Sequence, residues 1–257
     1  MFMVFVSLLA LLAVVILTKR PYFSKPNLNN ALKGGLILFA VFGFISRSFV
    51  IVGADEIGVL KRIYLGSDLP PGRIIALKGQ KGPQADILGP GFHLMPFVRV
   101  LDDIDYTPVP EVREGHYGLL VAKDGAPLDD GSFLANRWKE ESKEEMLNAS
   151  YFMENGGQKG PQYNVLKPGK YRINPFLFNI TLFPATDVPT GHVAVIRSNI
   201  QTEEKKCPDP AAAVGKGGAG VALPLVPKGC VGVWETPLPP GRYYLNQKAF
   251  IATIIPT

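Results

Sequence analysis

Three stretches of the chain each contain a Pro-Gly pair, and apolar and polar residues alternate after that pair. The alternation has the period of a strand with one buried face. Proline presets φ near about −65° and glycine tolerates positive φ, so the pair is typical of a turn. We therefore predict structural turns at Pro90-Gly91, Pro168-Gly169 and Pro240-Gly241. The three stretches are Leu88 to Phe97 (LGPGFHLMPF), Leu166 to Phe176 (LKPGKYRINPF) and Leu238 to Asn246 (LPPGRYYLN).

Four further phrases each place a glycine-containing or acidic turn before a short apolar strand. Repetition on this scale indicates an array of small β modules rather than one large core. The predicted fold class is mainly β with some α. The predicted domains are a membrane anchor (1–52) and β repeats 53–110, 111–189 and 190–257. The four phrases are Ala54 to Leu60, Val112 to Leu119, Val188 to Val195 and Val226 to Val233.

Two apolar segments, 1–18 and 36–52, precede the repeats. The first covers about 27 Å as a helix, close to the hydrocarbon thickness of a bilayer. No basic residue precedes it, so an uncleaved anchor is favoured over a signal peptide. Twelve Leu, Ile, Phe and Val residues in the second contribute roughly −4 to −7 kcal/mol, against about +3 for Arg47. Insertion is favoured, and a buried or interfacial segment is the alternative.

Four basic residues and no acid lie between the two segments: Lys19, Arg20, Lys25 and Lys33. The positive-inside bias predicts that this connection, Lys19 to Gly35, is cytoplasmic. If both segments span the membrane, the β region is extracytoplasmic; if only the first spans, it is cytoplasmic. Both topologies stay open.

One amphipathic helix is predicted at about 132–154, where large apolar residues flank the charged run Lys139 to Glu145. Asp129, Asp130 or Ser132 could cap its start, and Gly156-Gly157 ends it. Residues 156–162 resemble a phosphate loop only in their glycines, because the Lys-Ser/Thr ending is missing.

Composition and charge narrow the function classes. The net charge of +5 is spread along the chain, which argues against nucleic acid binding. Cys207 and Cys230 are too few for a zinc site; two unpaired thiols are the favoured interpretation, and a bridge is expected only for an extracytoplasmic domain. The acidic residues Asp102, Asp103 and Asp105 are interpreted as a solvated strand face rather than a divalent-ion site. The segment Gln201 to Ala222 is predicted to be a mobile loop.

The three histidines, His93, His116 and His192, are placed by the pattern at repeat-equivalent turns or strand starts. One residue in each module does not assemble a single catalytic site, and no nucleophile motif is present. We predict no catalytic residue, no cofactor and no metal ligand. A membrane-bound hydrolase is the enzyme alternative, since catalytic residues can be scattered through a sequence.

Several longer phrases resemble the N-terminal part of bacterial band 7 proteins of the flotillin type, in the stomatin–prohibitin–flotillin (SPFH) group. The phrases are Ala122 to Leu128, Phe152 to Gln162, Val165 to Leu177 and Gly229 to Gly241. The β repeats also resemble, more loosely, the modules of vault shells.

This resemblance implies a membrane-anchored scaffold, with SPFH-like β modules, that forms a large homo-oligomeric ring or cage. Such a scaffold organises a membrane microdomain of lipid and client membrane proteins. The resemblance implies no catalytic residues. The third repeat is expected to continue beyond Thr257. The alternative is a monomeric anchored adaptor that recruits a partner through the Gln201 to Ala222 loop.

Overall fold

The computed structural model describes residues 2–20, 22–202, 207 and 225–257. It is a mixed α/β structure with more strand than helix, organised in several small antiparallel sheets. The predicted fold class, mainly β with some α, agrees with the excess of strand. The chain divides into two compact units, 1–109 and 110–257, which are described separately. The predicted mobile loop lies outside the described residues except for residues 201, 202 and 207.

The first unit begins with two helices, α1 (Phe2–Lys19) and α2 (Pro26–Ile45), which contact each other. Small residues are buried on both helices and allow close approach of the two backbones. The connection is held by Asn29, whose side chain accepts a hydrogen bond from the Phe23 amide (3.0 Å) and donates one to the Phe23 carbonyl (2.6 Å). The buried small residues are Ser7, Ala10, Ala40 and Gly43.

The predicted second apolar segment, 36–52, is wrong in its boundaries. The helix begins ten residues earlier, with Pro26 in its first turn, where proline is well tolerated. It ends at Ile45 because the hydroxyls of Ser46 and Ser48 bond back to the carbonyls of Gly43 and Phe44. The remaining residues, Phe49–Val52, form a strand with alternating burial.

Five strands and a short helix complete the first unit. Strand β2 is central, with β3 and β5 on its two sides, and β1 pairs with β4 in a second sheet. The elements are β1 (Phe49–Val52), β2 (Glu56–Arg62), β3 (Gly82–Leu88), β4 (Gly91–Leu94), α3 (Val98–Leu101) and β5 (Asp102–Pro108).

The second unit repeats this arrangement twice. In its first copy β7 is central between β8 and β10, and β6 pairs with β9. In its second copy β12 is central between β13 and β15, and β11 pairs with β14. The strands are β6 (Glu111–Val112), β7 (His116–Ala122), β8 (Gly160–Leu166), β9 (Gly169–Lys170), β10 (Phe178–Pro184), β11 (Thr186–Val188), β12 (His192–Ser198), β13 (Gly232–Val233), β14 (Gly241–Tyr243) and β15 (Phe250–Pro256). We call the three copies the first, second and third modules.

The single helix predicted at 132–154 is also wrong. Helical structure is confined to a 3-10 turn (Glu140–Ser142), α4 (Lys143–Leu147) and α5 (Ala149–Glu154). The helix breaks at Asn148, which is extended and whose side chain caps α5 through the Tyr151 amide.

Tertiary hydrogen bonds draw the preceding segment, residues 132–139, away from a helical path. The Ala135 amide donates to the Pro161 carbonyl (2.9 Å), and the Trp138 backbone exchanges two bonds with the Asn164 side chain. These partners lie more than twenty residues away in sequence. The local periodicity of the sequence therefore cannot predict these hydrogen bonds.

The cysteines are paired, so the favoured interpretation of two free thiols is wrong. Cys207 and Cys230 form a disulfide with a Cα–Cα distance of 5.6 Å, within the usual range of about 4.4–6.8 Å. Cys230 is fully buried in the core of the third module. Folding brings together two residues that are 23 apart in sequence. That core also contains Val188, Ala194, Ile196, Val226, Trp234, Ala249 and Phe250.

Candidate membrane interface

The three predicted Pro-Gly turns are corners at which the chain passes from the three-stranded sheet to the two-stranded sheet of its module. Gly91, Gly169 and Gly241 have φ values of +123°, +152° and +154°. These values lie beyond the left-handed helical region, where glycine alone is found routinely. Each glycine is the register partner of a buried valine at the end of the short strand: Val52, Val112 and Val188.

A side chain two residues after each corner glycine bonds back across the corner. The Tyr171 hydroxyl donates to the Lys167 carbonyl (2.7 Å), and the Tyr243 hydroxyl donates to the Pro239 carbonyl (2.9 Å). In the first module Nε2 of His93 lies 2.7 Å from the Gly89 carbonyl oxygen. His93 is therefore equivalent to the two tyrosines, whereas His116 and His192 open the central strands.

A second repeated corner escaped sequence reasoning. The hexapeptide GQKGPQ occurs at 79–84 and again at 157–162, and GCVGVW takes its place at 229–234. The glycine at the fourth position of each copy has a positive φ: Gly82, Gly160 and Gly232. The last side chain bonds back to the second residue: Gln84 to Gln80, Gln162 to Gln158 and Trp234 to Cys230. A comparison of the sequence with itself would have found this repeat. The repeated corner also explains the glycines of residues 156–162, which were compared above with a phosphate loop.

The basic residues that were predicted to set the topology separate into two groups. Lys19 ends α1, Lys25 precedes α2, and Arg20 lies between them, all exposed in the short connection. Lys33 is instead half-buried within α2. The predicted basic loop Lys19 to Gly35 is therefore shorter than expected.

Exposed apolar side chains cover one face of the β1–β4 sheet, directly after α2. Ile51, Phe92 and Leu94 are 61%, 63% and 69% exposed, and Ile51 lies opposite Phe92. The rings of Phe49 and Phe92 stack with centroids 5.8 Å apart. The other face buries Val50 and Val52 in the core of the first module. We call this set, the exposed Ile51, Phe92 and Leu94 together with the half-buried Phe49, the interfacial face.

Hydrogen bonds join the interfacial face firmly to the end of α2. The Ser48 carbonyl accepts from the Met95 amide (2.7 Å), and the Ser48 hydroxyl accepts from the Phe97 amide (3.1 Å). Arg99 donates from its backbone to Arg47 and from Nε to the Phe49 carbonyl, both at 3.1 Å. The helix end and the sheet are thus one hydrogen-bonded body.

Phe97 adds an aromatic contact at this junction. Its ring lies edge-on to Phe44 near the end of α2, with centroids 5.6 Å apart. Its φ of +59° is unusual for a bulky residue and marks a strained position held by its surroundings. Arg99 lies beside these apolar side chains, and an arginine can cover apolar surface with its stem while its charged end stays in water.

Only part of the acidic cluster of the first module is the solvated strand face that was predicted, because Asp102 is buried. Asp102 is buried and lies 2.5 Å from Nε of Arg62, while Asp105 lies 2.5 Å from Nζ of Lys61. Asp103 is opposite Lys61 in the strand register and exposed. Within the described part of the chain, no group of three or more His, Cys, Asp or Glu residues is placed to hold a metal ion.

Helix α2 (Pro26–Ile45) is long and apolar enough to cross a membrane, and among the described helices α1 is also apolar but shorter. A comparison with protein-family models and with curated proteins found no match. The fold therefore defines the class only coarsely, as a protein in which an apolar N-terminal helix precedes several small β-sheets.

Proposed function

We propose that the protein is a membrane-anchored scaffold that oligomerises into a ring or cage and organises a membrane microdomain. The observation that carries this proposal is the rigid attachment of the first β module to the end of the apolar helix α2, through Ser48 and Arg99. Such an attachment holds every copy in one orientation relative to the bilayer and raises its effective local concentration.

Open sheet edges are the surfaces through which copies would associate. In the described region β5, β10 and β15 each pair with a single strand, and an exposed edge must be paired, covered or charged. Each of these strands ends in proline, a residue typical of edges: Pro108, Pro184 and Pro256. Strand β15 also exposes Ile251, Ile254 and Ile255.

Identical orientation and an open edge favour head-to-tail contacts between neighbouring copies. Such contacts form a ring when the rotation between copies closes. A closed ring would enclose a defined area of lipid together with its client membrane proteins. The band 7 and flotillin-like phrases of the sequence support the same assembly, and the proposal assigns the chain no catalytic role.

Particle size tests this proposal. The chain is expressed in its full reading frame, extracted in mild detergent and analysed by sedimentation and imaging. We expect uniform large rings or cages, and Ile254→Lys on the β15 edge should reduce their size. Phe133→Lys changes an equally exposed apolar residue outside every strand and should leave the particles intact. A stable monomer of the unaltered protein would contradict the scaffold.

One observation favours the adaptor as a second candidate. A cavity of about 320 Å³ in the second unit is lined by Phe133, Arg137, Tyr163 and Gln201, among other residues. The Arg137 guanidinium lies 5.5 Å from the centroid of the Tyr163 ring, so the cavity combines an aromatic wall with a cation. A monomeric particle whose partner binding is lost in Arg137→Ala would support the adaptor instead.

A further inference from the structure

The two cysteines of the chain, Cys207 and Cys230, are joined in one disulfide. Cys230 is fully buried, and its carbonyl accepts a hydrogen bond from the Trp234 indole (3.1 Å). Trp234 packs in the same core with its ring 5.5 Å from that of Phe250. The bridge is therefore built into the core of the third module.

The module repeat shows what the bridge replaces. Position 230 is equivalent to Gln80 and Gln158 in the repeated corner. The Gln80 side chain accepts a bond from the Leu77 amide, and the Gln158 side chain accepts one from the Asn136 amide. In the third module a covalent bond takes over this attachment of the preceding segment.

A disulfide of this kind persists in oxidising compartments, whereas in the cytosol the two cysteines are kept as reduced thiols. Because Cys230 is buried once the module has closed, its oxidation must accompany folding. The bridge forms by thiol–disulfide exchange. The two thiols of this chain become a disulfide, while the disulfide of an extracytoplasmic oxidoreductase is reduced to a dithiol that retains the two protons.

The charges at the helices point to the same side of the membrane independently. Lys19, Arg20 and Lys25 lie in the connection between α1 and α2, and the positive-inside rule keeps such a connection in the cytoplasm. Helix α1 has 18 residues, about 27 Å at 1.5 Å per residue, which is within the spanning range. Strand β1 starts four residues after α2 ends, on the opposite side from the connection.

We propose that α1 and α2 cross the membrane as a hairpin, and that the β modules fold on the extracytoplasmic side. There a thiol–disulfide oxidoreductase forms the Cys207–Cys230 bridge that closes the third module. This inference rests on the membrane anchoring of the proposed function, and it chooses between the two topologies that the sequence left open.

Thiol trapping in cells tests the bridge. Cells that express the full chain are quenched in acid, and the denatured protein is treated with a maleimide–polyethylene glycol that retards its migration. We expect no retardation without a reductant and modification of both cysteines after reduction. Acid quenching excludes later oxidation by air. Two reactive thiols in the unreduced sample would overturn the proposal.

Two single-cysteine variants in a Cys207→Ala, Cys230→Ala background test the side of the membrane. Thr190→Cys places a thiol on an exposed turn of the second unit, and Lys25→Cys places one in the helix connection. On intact cells or spheroplasts an impermeant maleimide should label the first and spare the second. Any other labelling pattern overturns the hairpin topology.

Particle size, measured separately on the unaltered protein, keeps the two proposals distinguishable. Large rings combined with a reversed labelling pattern would overturn the topology and leave the scaffold. Monomers combined with the expected labelling would overturn the scaffold alone.

Discussion

At the scale of single residues, the corners depend on backbone conformations and on one hydrogen bond each. Gly91 has a φ of +123°, and a Cβ atom placed there would have no neighbour within 4 Å. The requirement for glycine is therefore one of backbone conformation and not of space. Tyr171 and Tyr243 fix the corners of the second and third modules through their hydroxyls.

Replacing Gly91 by valine should lower the free energy of unfolding by about 1–3 kcal/mol, the usual cost of a strained conformation. Gly89 is the matched control, since it also has open space but no positive φ. Gly89→Val, with the same substituent, should change stability little. Thermal unfolding in detergent measures both variants, and equal small effects would show that the corner does not need glycine.

Tyr171→Phe removes the hydroxyl that bonds to Lys167 and should cost about 0.5–1.5 kcal/mol, the net value of one such bond. Burial raises the pKa of Tyr171 above its usual value of 10.0. Its neutral form is thus favoured by folding, and its contribution is complete below pH 10 and is lost as the pH rises through the raised pKa. The pH slope of unfolding should weaken in the variant; an unchanged slope would contradict this.

The ion pair between Asp187 and Arg242 links β11 to β14, with Nε and Oδ1 2.7 Å apart. The hydrogen bond from Arg242 lowers the pKa of Asp187 below its usual value of 3.8. Its contribution is therefore present above pH 3.8 and is lost as the pH falls through the lowered pKa. NMR titration should show the Asp187 pKa return to its usual value in Arg242→Gln. Because the pair is exposed, high salt should produce part of the same effect.

At the scale of the elements, the central strands differ in how closely their neighbours pack. A Cβ atom at Gly118 in β7 would lie 2.9 Å from Ile180 Cγ2 and 3.3 Å from Leu166 Cβ. At Gly58 in β2 the nearest atom, Val52 Cγ2, would be 3.1 Å away. The equivalent residue in β12 is Ala194, which is fully buried. The third module thus accommodates a methyl group that the second excludes.

Gly118→Ala should therefore destabilise the protein by about 1–3 kcal/mol through overpacking, and Gly58→Ala by less. Chemical denaturation measures the order of the two effects. The reverse change, Ala194→Gly, serves as the control and should be destabilising through a lost contact. A neutral Gly118→Ala would show that Ile180 and its strand move aside freely.

At the scale of the whole molecule, the interfacial face would extend membrane contact beyond the helix. Phe92→Trp in the protein reconstituted into vesicles should add fluorescence that brominated lipids quench. Tyr64→Trp, at an exposed position of the same unit outside the interfacial face, should add fluorescence that they quench less. The parent protein supplies the background of its two native tryptophans. Equal quenching in the two variants would place the face away from the lipid.

Local chemistry in the sequence determined the short strands, the apolar N-terminal segment and the need for glycine at the Pro-Gly corners. These features depend on neighbours in the chain, through periodicity and through the φ values that proline and glycine allow. The excess of strand over helix and the positive φ of Gly91 could be predicted for this reason. The exact repeat GQKGPQ was equally local, although it was overlooked.

Only the tertiary structure decided the features that depend on distant partners. Trp138 leaves the helical path because it bonds to Asn164, and Asp102 is buried because Arg62 lies across the sheet. Phe49–Val52 is a strand because β4 pairs with it. The Cys207–Cys230 bridge forms because the third module brings the two residues together. The sequence contains these partners but does not state their distances, which arise from the packing of the whole chain.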